Sequence, residues 1–201
     1  LWLGVWFAAS LVLAAVVRRG RAAAAVSAAV CLVLLVWHPF PPQVRPGALE
    51  VTAIDVGQGD SLFIALPDGR LMLLDAGGFP SYSGRRSGID TGEDIVSPYL
   101  WTRSIKRLDV VAVSHLHEDH AGGVPSVLRN FRPKEVWTGP LPETPEALRL
   151  QEAVRATGAR LRIWNEGARS DYGAVEIEAL APPAGEGIPA GNGDRGSLVL
   201  R

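Results

Sequence analysis

The chain has 201 residues, 20 Lys and Arg against 21 Asp and Glu, one cysteine and a formal charge of −1. That length bounds it to one or two folded units, the single cysteine excludes an internal disulfide, and the near-even charge excludes a generically basic nucleic-acid binder. The charge is unevenly spread: four of the basic residues lie in 1–49, which hold no acid, so 50–201 carry 16 basic against 21 acidic groups, a balance of −5.

Residues 1–38 are almost wholly apolar apart from Arg18-Arg19-Gly20-Arg21. Two apolar stretches, 1–17 and 22–38, flanked by Trp2, Trp6 and Trp37, predict a transmembrane helical hairpin, since each is near one bilayer span and tryptophan favours the membrane interface. A basic short loop stays cytoplasmic, so everything after the second span is expected outside the cell membrane. Cys31 falls in the second stretch and reads as small apolar filler. Residues 39–48, with prolines at 39, 41, 42 and 46, cannot continue a helix and predict a stiff linker. Residues 49–201 are then a separate domain. The chain starts on Leu1 rather than Met and ends on Arg201 inside the strand-like Ser197-Leu198-Val199-Leu200-Arg201. Both ends are expected to be interior points of a longer protein.

In that domain, 49–55, 61–66 and 71–74 alternate or run apolar between short Gly-containing turns, which predicts three strands in an antiparallel meander. A Gly- and Ser-rich loop is expected over 79–88. Residues 91–104 predict a helix, with Glu93 and Asp94 in its first turn and Arg103 near its end, matching the helix dipole. The run Leu108-Asp109-Val110-Val111-Ala112-Val113 predicts a buried strand, followed by a short helix over 123–130 and a strand over 134–138. Thr144 and Pro145 start a helix that Gly158 ends. Strands are expected over 160–164 and 174–180. A β-meander followed by βαβ units makes this an α/β domain, part of a layered sandwich of helices and sheets.

The strand ending at Val113 leads into Ser114-His115-Leu116-His117-Glu118-Asp119-His120-Ala121-Gly122-Gly123. Neutral imidazole and carboxylate suit Zn and similar divalent ions, and a strand end fixes their directions. Side chains at i and i+2 of extended chain point the same way, so His115 and His117 could share one ion. Asp119 and His120, on the turn, could hold a second. Two such ions together polarise a phosphoryl or carbonyl oxygen and activate a water. Two further motifs precede this loop: Asp55-Val56-Gly57-Gln58-Gly59-Asp60 and Leu74-Asp75-Ala76-Gly77-Gly78. From sequence alone, Asp75 either caps a turn or supports the histidine loop from beneath.

The spacing H-x-H-x-D-H resembles the signature of the metallo-β-lactamase superfamily. The order D-V-G-Q-G-D, L-D-A-G-G, H-x-H-x-D-H and a late N-G-D-R-G-S-L-V-L-R resembles the C-terminal domain of the ComEC/Rec2 competence proteins, the polytopic membrane proteins of bacterial DNA uptake. That resemblance implies a partial metallo-β-lactamase αβ/βα sandwich after a transmembrane hairpin, in the plasma membrane of a bacterium. It implies a metal-dependent nuclease domain on the extracytoplasmic side, with single-stranded DNA, the lipid bilayer and the remaining uptake machinery as partners. It places His115, His117, Asp119 and His120 as ligands of two divalent ions, Zn or Mn. Asp119 is the catalytic candidate, Asp75 lies beneath the site, and Gln58 and Asp60 sit in a loop near it. The superfamily pattern needs further ligands, yet no histidine follows His120, and the later aspartates, Asp171 and Asp194, do not match the expected T-G-D setting. The completing ligands are expected beyond Arg201, which would leave this stretch inactive alone. Two other readings stay open: a membrane-tethered hydrolase of lactams or thioesters, and a non-catalytic docking domain.

Overall fold

The computed structural model describes residues 2–16, 20–37, 40–79, 88–172, 175–185 and 196–201. These form two units, Leu1–Pro41 and Pro42–Arg201.

The first unit is a helical hairpin, α1 (Trp2–Val16) and α2 (Arg21–Trp37). Its seam is made of small side chains: Ala24, Ala28 and Cys31 are buried, and the Ser10 and Ser27 hydroxyls lie 2.9 Å apart. The expected transmembrane spans are corrected here. At 1.5 Å per residue, the 15 residues of α1 and 17 of α2 reach about 22 and 25 Å, short of the roughly 30 Å hydrocarbon core. Among the described residues no helix is long and apolar enough to cross a membrane. Arg18 and Arg19, which carried the argument for sidedness, lie outside the described residues, as do the loop residues 80–87 with Arg85 and Arg86, and Asp194.

The second unit is built on a six-stranded sheet in the order β1 (Glu50–Ala53), β2 (Leu62–Ala65), β3 (Leu71–Leu74), β4 (Val110–Val113), β5 (Glu135–Thr138), β6 (Arg160–Ile163). The first three strands pair antiparallel, as tight turns allow; β3 to β6 pair parallel. Parallel strands are covered on both faces, so they carry apolar runs without polar alternation, and all four residues of β4 are buried.

Alternation instead sorts side chains between two cores. Leu73, Val111, Val113 and Val136 face the helices, meeting Val96, Leu100, Val124, Leu128, Phe131 and Leu150. Met72, Val110, Ala112 and Trp137 face a second sheet of β7 (Arg169–Tyr172), β8 (Val175–Ala181) and β9 (Val199–Leu200), meeting Ile177, Ala179 and Leu198. Trp137 packs on Trp164 at 4.6 Å between ring centroids.

The helices on the other face are α3 (Ser97–Thr102), preceded by a π-helical turn (Gly92–Val96), then α4 (Glu118–Ala121), α5 (Val124–Phe131) and α6 (Pro145–Thr157). The structure departs from the sequence reading at two places. The helix expected over 91–104 starts with wide π turns, in which the Ser97 hydroxyl donates to Gly92 O at 2.6 Å. Strand β7 was not expected, because R-S-D-Y offers no apolar alternation; it is held by pairing with β8 and by Arg169, 2.9 Å from Glu178. Arg103, at the end of α3, is bound to Glu50 at 2.7 Å and to the Gln43 carbonyl.

Candidate metal centre

Because β3, β4 and β5 run parallel, their carboxyl ends share one edge of the sheet, the usual place for a site in such sheets. β3 delivers Asp75-Ala76-Gly77-Gly78 to that edge and β4 delivers the histidine loop.

Asp75 is the hub. It is 2% exposed and adopts φ +59°, a left-handed conformation that Asp tolerates better than most residues. Its Oδ1 accepts from the Ser114 amide at 2.7 Å and its Oδ2 from the Ser114 hydroxyl at 2.5 Å. His120 Nδ1 donates to the same Oδ2 at 3.0 Å. The backbone is stitched as well: Asp75 N donates to Ala112 O, Ala76 N to His120 O, and Gly123 N to Gly77 O. The hydroxyls of Ser61 and Thr91, both buried, donate to the carbonyls of Asp75 and Ala76.

The glycines of the two earlier motifs allow three loops to touch. A Cβ on Gly59, which has φ +90°, would stand 1.7 Å from the Asp119 carbonyl oxygen, and one on Gly78 would stand 1.8 Å from that of Glu118. No side chain fits either place. This steric demand links residues 60 and 40 apart in sequence.

The structure brings the four sequence-predicted donors together. The rings of His115 and His117 are 4.8 Å apart, those of His115 and His120 4.1 Å. His120 Nε2 lies 3.7 Å from Asp119 Oδ2. Asp75 lies beneath them. Asp60 is at the rim, its side chain 72% exposed, with Oδ2 3.8 Å from His120 Nδ1. Gln58 is exposed on the loop that abuts Asp119. The hydrogen bond that His120 donates to Asp75 raises the His120 pKa above the usual imidazole value, against the opposing effect of burial; Asp119 and Asp60 add to the rise.

The donor chemistry, imidazole nitrogen and carboxylate oxygen, suits a borderline divalent ion, and the Nδ1 of His120 is anchored as in metal-ligating histidines generally. Even so, among the described residues no group of three or more His, Cys, Asp or Glu stands ready to hold an ion. A cavity of about 430 Å³ lies beside the loop, lined by Leu116, Glu118, Arg129 and Arg149 among others, but by none of the four donors.

Sequence reasoning passed over Ser114, Ser61 and Thr91. The available signal was a small hydroxyl residue where an apolar run meets a polar motif.

A family model described as the metallo-beta-lactamase superfamily matches residues 54–196. The chain belongs to the metallo-beta-lactamase superfamily. Individual relatives place the chain further. It is 28% identical over 198 residues to ComE operon protein 3 of Bacillus subtilis (strain 168), a match covering 94% of this chain and 25% of that protein. This bears out the resemblance to ComEC/Rec2 proteins read from the motifs. It is 37% identical over 98 residues to Ribonuclease J of Mycolicibacterium smegmatis (strain ATCC 700084 / mc(2)155), covering 44% of this chain and 16% of that protein. The chain thus spans a quarter or less of the length of these relatives. Among solved structures, the metallo-beta-lactamase SMB-1 bound to 2-mercaptoethanesulfonate superposes with a TM-score of 0.50 at 16% identity, over 80% of this chain and 58% of that one. At that identity the likeness shows the fold alone, and it bears out the metallo-β-lactamase α/β sandwich.

Proposed function

We propose that this superfamily domain is a metal-dependent phosphodiesterase that cleaves DNA during its uptake at a bacterial cell membrane, on the extracytoplasmic side. The observation that carries the reading is the gathering of His115, His117, Asp119 and His120 over the buried Asp75. It occurs in a chain similar over 94% of its length to ComE operon protein 3. Matches covering 44% of the chain include Ribonuclease J but also a lactamase-like protein and an ACP thioesterase, so the phosphodiester substrate rests on the match to ComE operon protein 3.

His115 and His117 would hold one divalent ion, Zn or Mn, and Asp119 and His120 its neighbour. Both ions would need further ligands besides these four. The ions, when bound, supply Lewis-acid polarisation of a phosphoryl oxygen and activation of water. The chain's own residues prepare this. Asp75 fixes the His120 ring, Gly59 and Gly78 let the loops close, and exposed Asp60 and Gln58 border the space above. Single-stranded DNA and the rest of the uptake machinery are the partners that follow from this reading.

The test is metal content and cleavage of single-stranded and duplex DNA by the intact parent protein and by His115→Ala, His117→Ala and Asp119→Ala, with β-lactam hydrolysis as a control. Loss of bound metal and of DNA cleavage is expected in each variant. Unchanged cleavage by Asp119→Ala, or robust lactam turnover by the parent, would refute the assignment.

A further inference from the structure

Proton counting around Asp75 reaches a second histidine. An ionised carboxylate only accepts hydrogen bonds, and a serine hydroxyl has one proton to give. The Ser114 hydroxyl stands 2.5 Å from Asp75 Oδ2, so its proton lies on that contact. The same oxygen stands 3.0 Å from His115 Nδ1. With the hydroxyl proton committed to Asp75, the proton on this second contact comes from the ring: His115 Nδ1–H donates and Ser114 Oγ accepts. His120 donates through Nδ1 directly to Asp75 Oδ2 at 3.0 Å. Both rings then carry their proton on Nδ1 and their lone pair on Nε2. The identity of the protonated nitrogen is set by the partner of the other nitrogen.

We propose that Ser114 is a positioning residue that passes the tautomer preference of Asp75 on to His115, so that one buried carboxylate prepares two imidazoles for metal through Nε2. The part concerning metal rests on the reading of His115 and His120 as ligands; the tautomer relay itself does not. A free imidazole in water favours the proton on Nε2, so without the relay His115 would present a donor where a lone pair is needed. A purely structural serine would hold the loop without setting the His115 tautomer.

The experiment is long-range ¹H–¹⁵N correlation NMR on the ¹⁵N-histidine-labelled 201-residue chain, free of metal and at a pH where the rings are neutral. The wild type is expected to show His115 and His120 both protonated on Nδ1. In Ser114→Ala, His115 should move toward the Nε2–H form while His120 stays, and Ser114→Thr, which keeps the hydroxyl, should restore the wild-type pattern. Zn²⁺ titration of the intact parent protein, which carries the completing ligands the metal reading calls for, should show about tenfold weaker binding by Ser114→Ala, at the low end of what loss of a ligand's supporting partner costs. Wild-type His115 protonated on Nε2 overturns the relay without recourse to any variant. An unchanged His115 pattern in Ser114→Ala overturns it as well. If the relay appears but Zn²⁺ does not bind, the relay stands and the metal reading fails. If Zn²⁺ binds and the tautomers ignore Ser114, the reverse holds.

Discussion

Replacing Asp75 separates its two structural tasks. It accepts three hydrogen bonds, from the Ser114 amide, the Ser114 hydroxyl and His120, and it holds a backbone at φ +59°. Hydrogen bonds to a charged group are worth about 1.5–3 kcal/mol each, but Ser114 and His120 are only half-buried and water recovers part of that. A left-handed conformation costs Ala about 1 kcal/mol. Asp75→Ala is therefore expected to destabilise the domain by about 3–5 kcal/mol. Asn tolerates the same backbone and keeps one acceptor, so Asp75→Asn should cost about 1–2 kcal/mol. For a unit of this size, roughly 2–4 °C per kcal/mol puts the Ala variant roughly 10 °C below wild type and the Asn variant roughly 4 °C below. Urea and thermal unfolding followed by near-UV circular dichroism of the buried Trp137–Trp164 pair measures both. An Ala variant within about 1 kcal/mol of wild type, or no worse than Asn, would refute the hub role.

Gly59→Ala should displace the Asp119 backbone, because its new methyl would stand 1.7 Å from that carbonyl oxygen, and the φ of +90° adds strain. A loss of about 2–4 kcal/mol and reduced Zn²⁺ binding are expected, and a crystal structure with the loop unmoved would contradict this. The Glu50 carboxyl is held below its ordinary value near 4.5 by the hydrogen bond from Arg103, which outweighs the opposing effect of burial. A lowered folded-state value means the pair's stabilisation is present above about pH 4.5 and is lost as pH falls through the folded value. Glu50→Gln should thus cost about 1–2 kcal/mol at pH 7 and flatten the acid side of the stability curve. Parallel urea midpoints for variant and wild type from pH 7 to pH 3 check this, and equal slopes in the two proteins would exclude it.

Much of the second unit was legible because its signals are local. The all-apolar Val110–Val113 could only be a strand covered on both faces, and Thr144 with Gly158 marks both ends of α6. The four donors were legible from spacing along one loop. What stayed hidden depends on partners distant in sequence. The need for glycine at 59 is set by a carbonyl at 119, and the burial of Asp75 by a serine at 114. Strand β7 exists because β8 and the arginine–glutamate pairs support it, a tertiary effect that overrides a polar sequence. The first unit differs: its two helices were legible, but not as membrane spans. Hydropathy counted residues 1–17 and 22–38 as spans, whereas the described helices have 15 and 17 residues, short of the roughly 20 that a bilayer needs.

The amide of Leu198, just before β9, donates to the Ser114 carbonyl at 2.7 Å. The loop that gathers the candidate ligands is therefore clasped by residues 59, 75 and 198, far apart along the chain. Such a site has high contact order, and loop-closure entropy must be overcome before its contacts reward it. During synthesis the strands and helices up to α6 can form as the chain emerges, but the clasp cannot close until residue 198 is free. The histidine loop is then among the last parts of the domain to be fully tied down.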